Sequence, residues 1–190
     1  SLGGGVAMWG AALEAAPPEF AASGRLALVP LERPEVLQAL HERYFLAGSD
    51  LVETATFSAS ARDLARAAAD YGEDPFSLSE RLNRAAAQIA RHAADRAYAR
   101  DGKKRYVAGS MGPGDAPPSL GASTYEELVA SYLPQARGLA QGGVDLVIIE
   151  TCQDPLQIKA AIAALRSSEG GRGLPFIVSA TVDEHGRMLA

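Results

Sequence analysis

The sequence has one cysteine, Cys152, which excludes an intrachain disulfide framework. It has no apolar run near the roughly 20 residues that a helix needs to span a bilayer, so no membrane contact is expected. Basic residues are the minority, 18 Lys and Arg against 23 Asp and Glu, for a net charge of -5. They form no basic stripe, and nucleic acid is not expected as a partner. Ser1 to Gly10 carries no Lys or Arg beside its short apolar patch and does not read as a secretory signal. The dinucleotide fingerprint Gly-x-Gly-x-x-Gly is missing after the first candidate strand. The histidines His41, His92 and His185 are too scattered for a metal constellation, and the first two read as surface or packing residues. No strand candidate ends in lysine, so Schiff-base chemistry of the aldolase kind has no nucleophile. Together these absences predict a cytoplasmic protein.

What is present is an alternation. With 190 residues, 47% hydrophobic and 22% charged, the chain suits one domain with a real core. Pro34 opens a helix whose apolar face holds Val36, Leu37, Leu40, Tyr44 and Phe45, and Gly48 stops it. A strand follows over Asp50–Phe57. Helices are expected near 60–71 and 79–100, with Gly72 and Pro75 as breakers between them. The arginines Arg81, Arg84, Arg91, Arg96 and Arg100 read as a solvated face of the second. Arg105–Ser110 is a strand, and Thr124 caps a helix to about Ala140. Asp145–Glu150 is contiguous and apolar, the mark of a strand buried on both faces in a parallel sheet. Asp154-Pro155 starts another helix, and Pro175–Thr181 is the last strand. A first strand is expected between Val6 and Trp9. The pattern predicts an α/β fold with about five parallel strands, either doubly wound or part of a barrel.

Sites in such folds form at the carboxyl ends of strands. Three ends are polar here: Glu53-Thr-Ala-Thr56, Gly109-Ser-Met-Gly-Pro113 and Glu150-Thr-Cys-Gln-Asp154. Glu150, directly after four apolar residues, is either a ligand for a cationic group or a structural acid. The amides of Gly109–Gly114 suit an anion, or the glycines serve a tight turn. Cys152 has no neighbouring His and reads as a small apolar residue more readily than as a nucleophile.

Taken in order, these segments resemble one family. His41-Glu-Arg-Tyr44, Ala47-Gly-Ser-Asp50, Glu53-Thr-Ala-Thr-Phe57, Val107-Ala-Gly-Ser-Met-Gly-Pro113, Gly142–Thr151 and Val178-Ser-Ala-Thr181 with Gly186-Arg-Met-Leu189 are similar to the homocysteine S-methyltransferases. The likeness is greatest to the N-terminal homocysteine-binding domains of cobalamin-dependent methionine synthases. Gln153-Asp154 and the Pro117–Gly121 loop point to that cobalamin-using branch rather than to the others. The resemblance implies the N-terminal part of a (β/α)8 TIM barrel, with residues 1–190 a partial homocysteine-binding domain whose C-terminal strands are missing. It implies zinc held by cysteine thiolates, homocysteine as substrate, methyl transfer to give methionine, and cobalamin and folate domains of the same enzyme as partners. Carried over by position, Glu150 meets the amino group of homocysteine. Ser110 and Gly109 lie near the amino-acid end, and Thr54 and Thr56 line the same mouth.

Three departures shape the expectations. Gly3-Gly-Gly-Val-Ala-Met-Trp-Gly-Ala11 lacks the aspartate that opens the family's first strand. Ala55 and Ser58 replace the family's usual Asn and Gly. The family's zinc cysteines lie on later strands, and Cys152 does not match one, so no metal ligand and no catalytic residue are assigned within this chain. The alternative is a catalytically incomplete half-barrel acting as a binding or scaffold protein. A five-strand arc is also expected to expose its last edge and to need a missing half, a partner or self-association.

Overall fold

The computed structural model describes residues 2–3 and 25–188. Its sheet has five strands: β1 (Leu2–Gly3), β2 (Leu51–Glu53), β3 (Tyr106–Met111), β4 (Leu146–Cys152) and β5 (Phe176–Ala180). Each pairs in parallel with the next in chain order. Short α1 (Val29–Glu32) and α2 (Pro34–Leu46) precede β2. Helices α3 (Ala65–Tyr71) and α4 (Pro75–Asp101) lead to β3, α5 (Tyr125–Gln141) to β4, and α6 (Pro155–Ser167) to β5. A doubly wound sheet reverses its strand order at a switch point. This order never reverses, so the sheet is an arc of a (β/α)8 barrel. The strand expected at Val6–Trp9 lies outside the described residues.

Local chemistry sets the helix boundaries. Asp74 accepts the Ser77 amide at 2.9 Å, and Pro75 occupies the first turn. Proline there opens a helix instead of breaking one, which is why α4 starts earlier than the expected 79. Thr124 and Glu127 form a reciprocal capping box on α5. The helix expected from residue 60 begins at Ala65, because Ser60 turns back on Asp63 through its hydroxyl at 2.8 Å. The arginines of α4 are more than a solvated face. Arg81 meets Glu73 at 2.6 Å, Arg96 meets Glu42 at 3.1 Å, and Arg91 pairs with Asp145 at the foot of β4.

Residues paired across a sheet share a face, and faces alternate along each strand. One face therefore carries Val52, Val107, Gly109, Met111, Val147 and Ile149. These pack beneath the helices, against Ala87, Ala90 and Ala94 of α4, Leu128, Tyr132, Ala136 and Leu139 of α5, and Ala161, Ala164 and Leu165 of α6. Small residues let the helices approach closely. A Cβ on Gly109 would stand 2.9 Å from Leu139 Cδ1, so any side chain there would force the buried Leu139 to move. The other face, with Glu53, Ala108, Ser110, Ile148, Glu150 and Ile177, is the barrel's inner face. At the edge, Ile177 and Val178 are 45% and 39% exposed, the open flank expected of such an arc.

His41, on α2, is fully buried beside Leu37 and Leu40. Neither ring nitrogen has a hydrogen-bond partner among the described residues. Burial pulls its pKa down to about 4, so the ring is neutral and acts as a packing residue. His92 is exposed.

Candidate functional site

Ser110, next to last in β3, and Glu150, on the inner face of β4, meet at the carboxyl end of the sheet. Ser110 Oγ donates to Glu150 Oε1 at 2.5 Å. Ser110 stands across from Ile148 in the register, so Glu150 is its diagonal neighbour, within reach of a long side chain. Ser110 is buried and Glu150 only partly so. The carboxylate therefore keeps a side open to the interior.

The structure brings Thr54 and Thr56 to the same place, in a supporting position. Strand β2 stops pairing after Glu53, and threonine side chains take over the ladder. Ser110 N–H donates to Thr54 Oγ1 at 3.0 Å, and Thr56 Oγ1 donates to the Ser110 carbonyl at 2.7 Å. The two threonine hydroxyls are 2.6 Å apart. Thr56 has spent its only proton, so Thr54 must be the donor between them. The bonds close a ring that begins and ends on the Ser110 backbone. Both threonines are buried, at 2% and 0% exposure, and are enclosed beneath the mouth. Gly109 faces α5, where Leu139 fills the space a side chain would take.

Gln135 was not among the residues singled out from the sequence. It is fully buried on α5. Its Nε2 donates to the Thr56 carbonyl at 2.8 Å and to the Ser110 carbonyl at 3.3 Å. It thereby pins the ends of two strands to one helix. Asp154, also fully buried, plays the corresponding part for the long loop after β3. Its carboxylate caps α6 through the Leu156 amide at 2.8 Å and holds Ser119 by its amide and hydroxyl at 2.8 and 2.9 Å. These donors hold the Asp154 carboxyl below its usual range against the opposing effect of burial.

Between Ile149 and Cys152 the pairing of β4 with β5 slips by a residue. The extra residue is Thr151, with φ of +59°, among the described residues the only non-glycine in the left-handed region. Such a backbone is strained for a β-branched residue. The bulge leaves Glu150 on the inner face and turns Cys152 into the helix-facing core. There the thiol is buried, and burial with the nearby Glu150 and Asp154 charges pushes its pKa up to about 11. A zinc-binding thiol needs the opposite setting. Among the described residues no group of three or more His, Cys, Asp or Glu could hold a metal. The residues present thus do not fit a zinc ion.

Two open clefts flank the strand ends. One, of about 550 Å³, is bordered by Gln153, Thr181, Asp183 and Arg187 beyond β4 and β5. The other, of about 530 Å³, lies beside Phe57, Asp63 and Gly114 beyond β2 and β3. No helix among the described residues is long and apolar enough to cross a membrane.

An all-parallel arc in chain order defines a barrel protein, and its polar residues gather at the carboxyl ends of the strands, where sites of such barrels form. The chain belongs to the homocysteine S-methyltransferase family, whose sequence pattern matches residues 7–190. It is similar to the methionine synthase of Mycobacterium leprae (strain TN), 43% identical over 159 residues, covering 83% of this chain and 13% of the relative. The methionine synthase of Mycobacterium tuberculosis (strain ATCC 25618 / H37Rv) is 41% identical over 159 residues, with the same coverage. The chain thus spans about an eighth of these relatives. The homocysteine methyltransferase MmuM of Escherichia coli shares the fold at 24% identity. Its metallated form has a TM-score of 0.71, covering 85% of this chain and 57% of that one. Its oxidised form has a TM-score of 0.72, covering 90% and 61%.

Proposed function

We propose that residues 1–190 form part of the homocysteine-binding barrel of a methyltransferase that makes methionine, of the cobalamin-using, methionine synthase kind. The observation that carries this reading is Glu150, held by Ser110 at the carboxyl end of an inner strand. A carboxylate fixed in a partly dry mouth is suited to an ammonium group, and homocysteine carries one. Family membership supplies the substrate class. The Mycobacterium relatives favour methionine synthase over other members. Cobalamin and folate domains would belong to the rest of such an enzyme. A cytoplasmic location fits the single unpaired thiol.

Zinc chemistry has no ligand set among the described residues. The part these residues play is to bind and orient the amino-acid end of the substrate. The first-strand segment without the family's aspartate favours a second reading, a barrel that binds without catalysing. Calorimetric titration of the intact protein with L-homocysteine, paired with a methionine-formation assay, tests both. Binding that weakens at least tenfold in Glu150→Gln is expected. Absence of binding sinks the homocysteine reading. Binding without methionine formation, methyl donor and zinc supplied, leaves the scaffold reading.

A further inference from the structure

Ser110 has one hydroxyl proton, and Glu150 takes it, because a carboxylate can only accept. The Ser110 N–H is committed to Thr54, and its carbonyl to Thr56 and Gln135. What Ser110 has left is lone-pair capacity on Oγ. Toward the interior, Ser110 and Glu150 together therefore offer acceptors alone. That suits an ammonium, which has three donors and no acceptor, and repels a carboxylate, which has only acceptors.

We infer that Ser110 and Glu150 form one ammonium-reading unit, in which Ser110 is a positioning residue acting through Glu150 and makes no bond to the carboxylate of an amino-acid ligand. This rests on the role proposed above for Glu150. The ring of Thr54, Thr56 and Gln135 makes the arrangement stiff. All three are at least nine-tenths buried, and hydrogen bonds in such a low-dielectric setting strengthen one another. The Ser110 backbone cannot shift without breaking several of them. Its hydroxyl thus presents Glu150 in one orientation, and a ligand need not order the carboxylate on arrival.

The test uses the intact protein and two probes, L-homocysteine and 4-mercaptobutanoate, the same molecule without its amino group. Affinities are measured by calorimetry. Ser110→Ala is expected to weaken homocysteine about tenfold and to change 4-mercaptobutanoate less than twofold. In a Glu150→Gln background, Ser110→Ala is expected to add less than twofold. Equal losses for both probes would mean that Ser110 touches the shared part of the ligand or merely supports the fold, and the inference is overturned. So it is if neither probe weakens, or if the full loss persists in the Glu150→Gln background. Glu150→Gln alone separates the two levels. If it leaves the preference for homocysteine over 4-mercaptobutanoate intact, the role of Glu150 falls. If it erases that preference while Ser110→Ala does not reduce it, only the present inference falls.

Discussion

Leu146–Ile149 in β4 and Phe176–Val178 in β5 are similar runs of large apolar residues. The first is buried almost throughout, and the second is exposed at two of its three positions. Strand β4 has paired strands on both sides and lies under α5 and α6. Among the described residues, strand β5 has a partner on one side only. Composition states what a strand is suited to, and its neighbours decide what it gets. The candidate site residues lie just past the stretch that is paired on both sides. Ser110 pairs with β4 alone and Glu150 falls in the irregularity between Ile149 and Cys152, and their supports come from the segment after β2 and from α5.

The contrast can be broken at its strong end first. Leu139→Ala removes the side chain packed into the place of a Gly109 Cβ, at a fully buried position. Equilibrium urea unfolding should show a loss of about 3–4 kcal/mol; a loss below about 1 kcal/mol would mean the seam between β3 and α5 is loose. Acid probes the interior next. His41 has an ordinary pKa of 6.5 and a folded value of about 4. Between these values the unfolded chain binds the extra proton, so stability is intact above pH 6.5 and falls as the pH drops toward 4, by roughly 3 kcal/mol in all. His41→Leu should flatten that slope in pH-dependent unfolding, and an unchanged slope would assign it to other groups. Asp154→Ala should cost about 1–2 kcal/mol by loss of the α6 cap, and should speed proteolytic nicking between residues 112 and 124. Equal nicking rates would show that Ser119 does not need the tether. The weak end comes last. Val178→Ser in the 190-residue chain should cost less than about 0.5 kcal/mol. If a further strand covers β5 in the intact protein, the same change there should cost more than about 1 kcal/mol.

Much of this was legible from residues alone. Four contiguous apolar residues followed by Glu150 announced a buried strand with a polar tip. Pro34, Thr124 and Asp154 marked their helix starts in the expected way. Pro75 was misleading because a proline that ends one segment also opens the next, and only the Asp74 cap tells which. Gln135 was hidden because one glutamine in an amphipathic helix looks like a surface amide. Its importance lies in two carbonyls distant in sequence. Thr54 and Thr56 were legible as polar residues at a strand end, while their place beneath Ser110 depends on where β2 stops pairing. The bulge was invisible, since a left-handed turn is usually announced by glycine and Thr151 is a threonine.

That bulge has a consequence for redox chemistry. A protein that handles a free thiol, as proposed here, risks forming mixed disulfides with any thiolate of its own. Regular alternation two residues beyond Glu150 would have put Cys152 on the inner face. The one extra residue sends the sulfur to the dry side of the sheet, where its pKa of about 11 leaves roughly one molecule in ten thousand as thiolate at neutral pH. Within these 190 residues, the mouth is thus kept free of a competing sulfur by a single strained peptide unit.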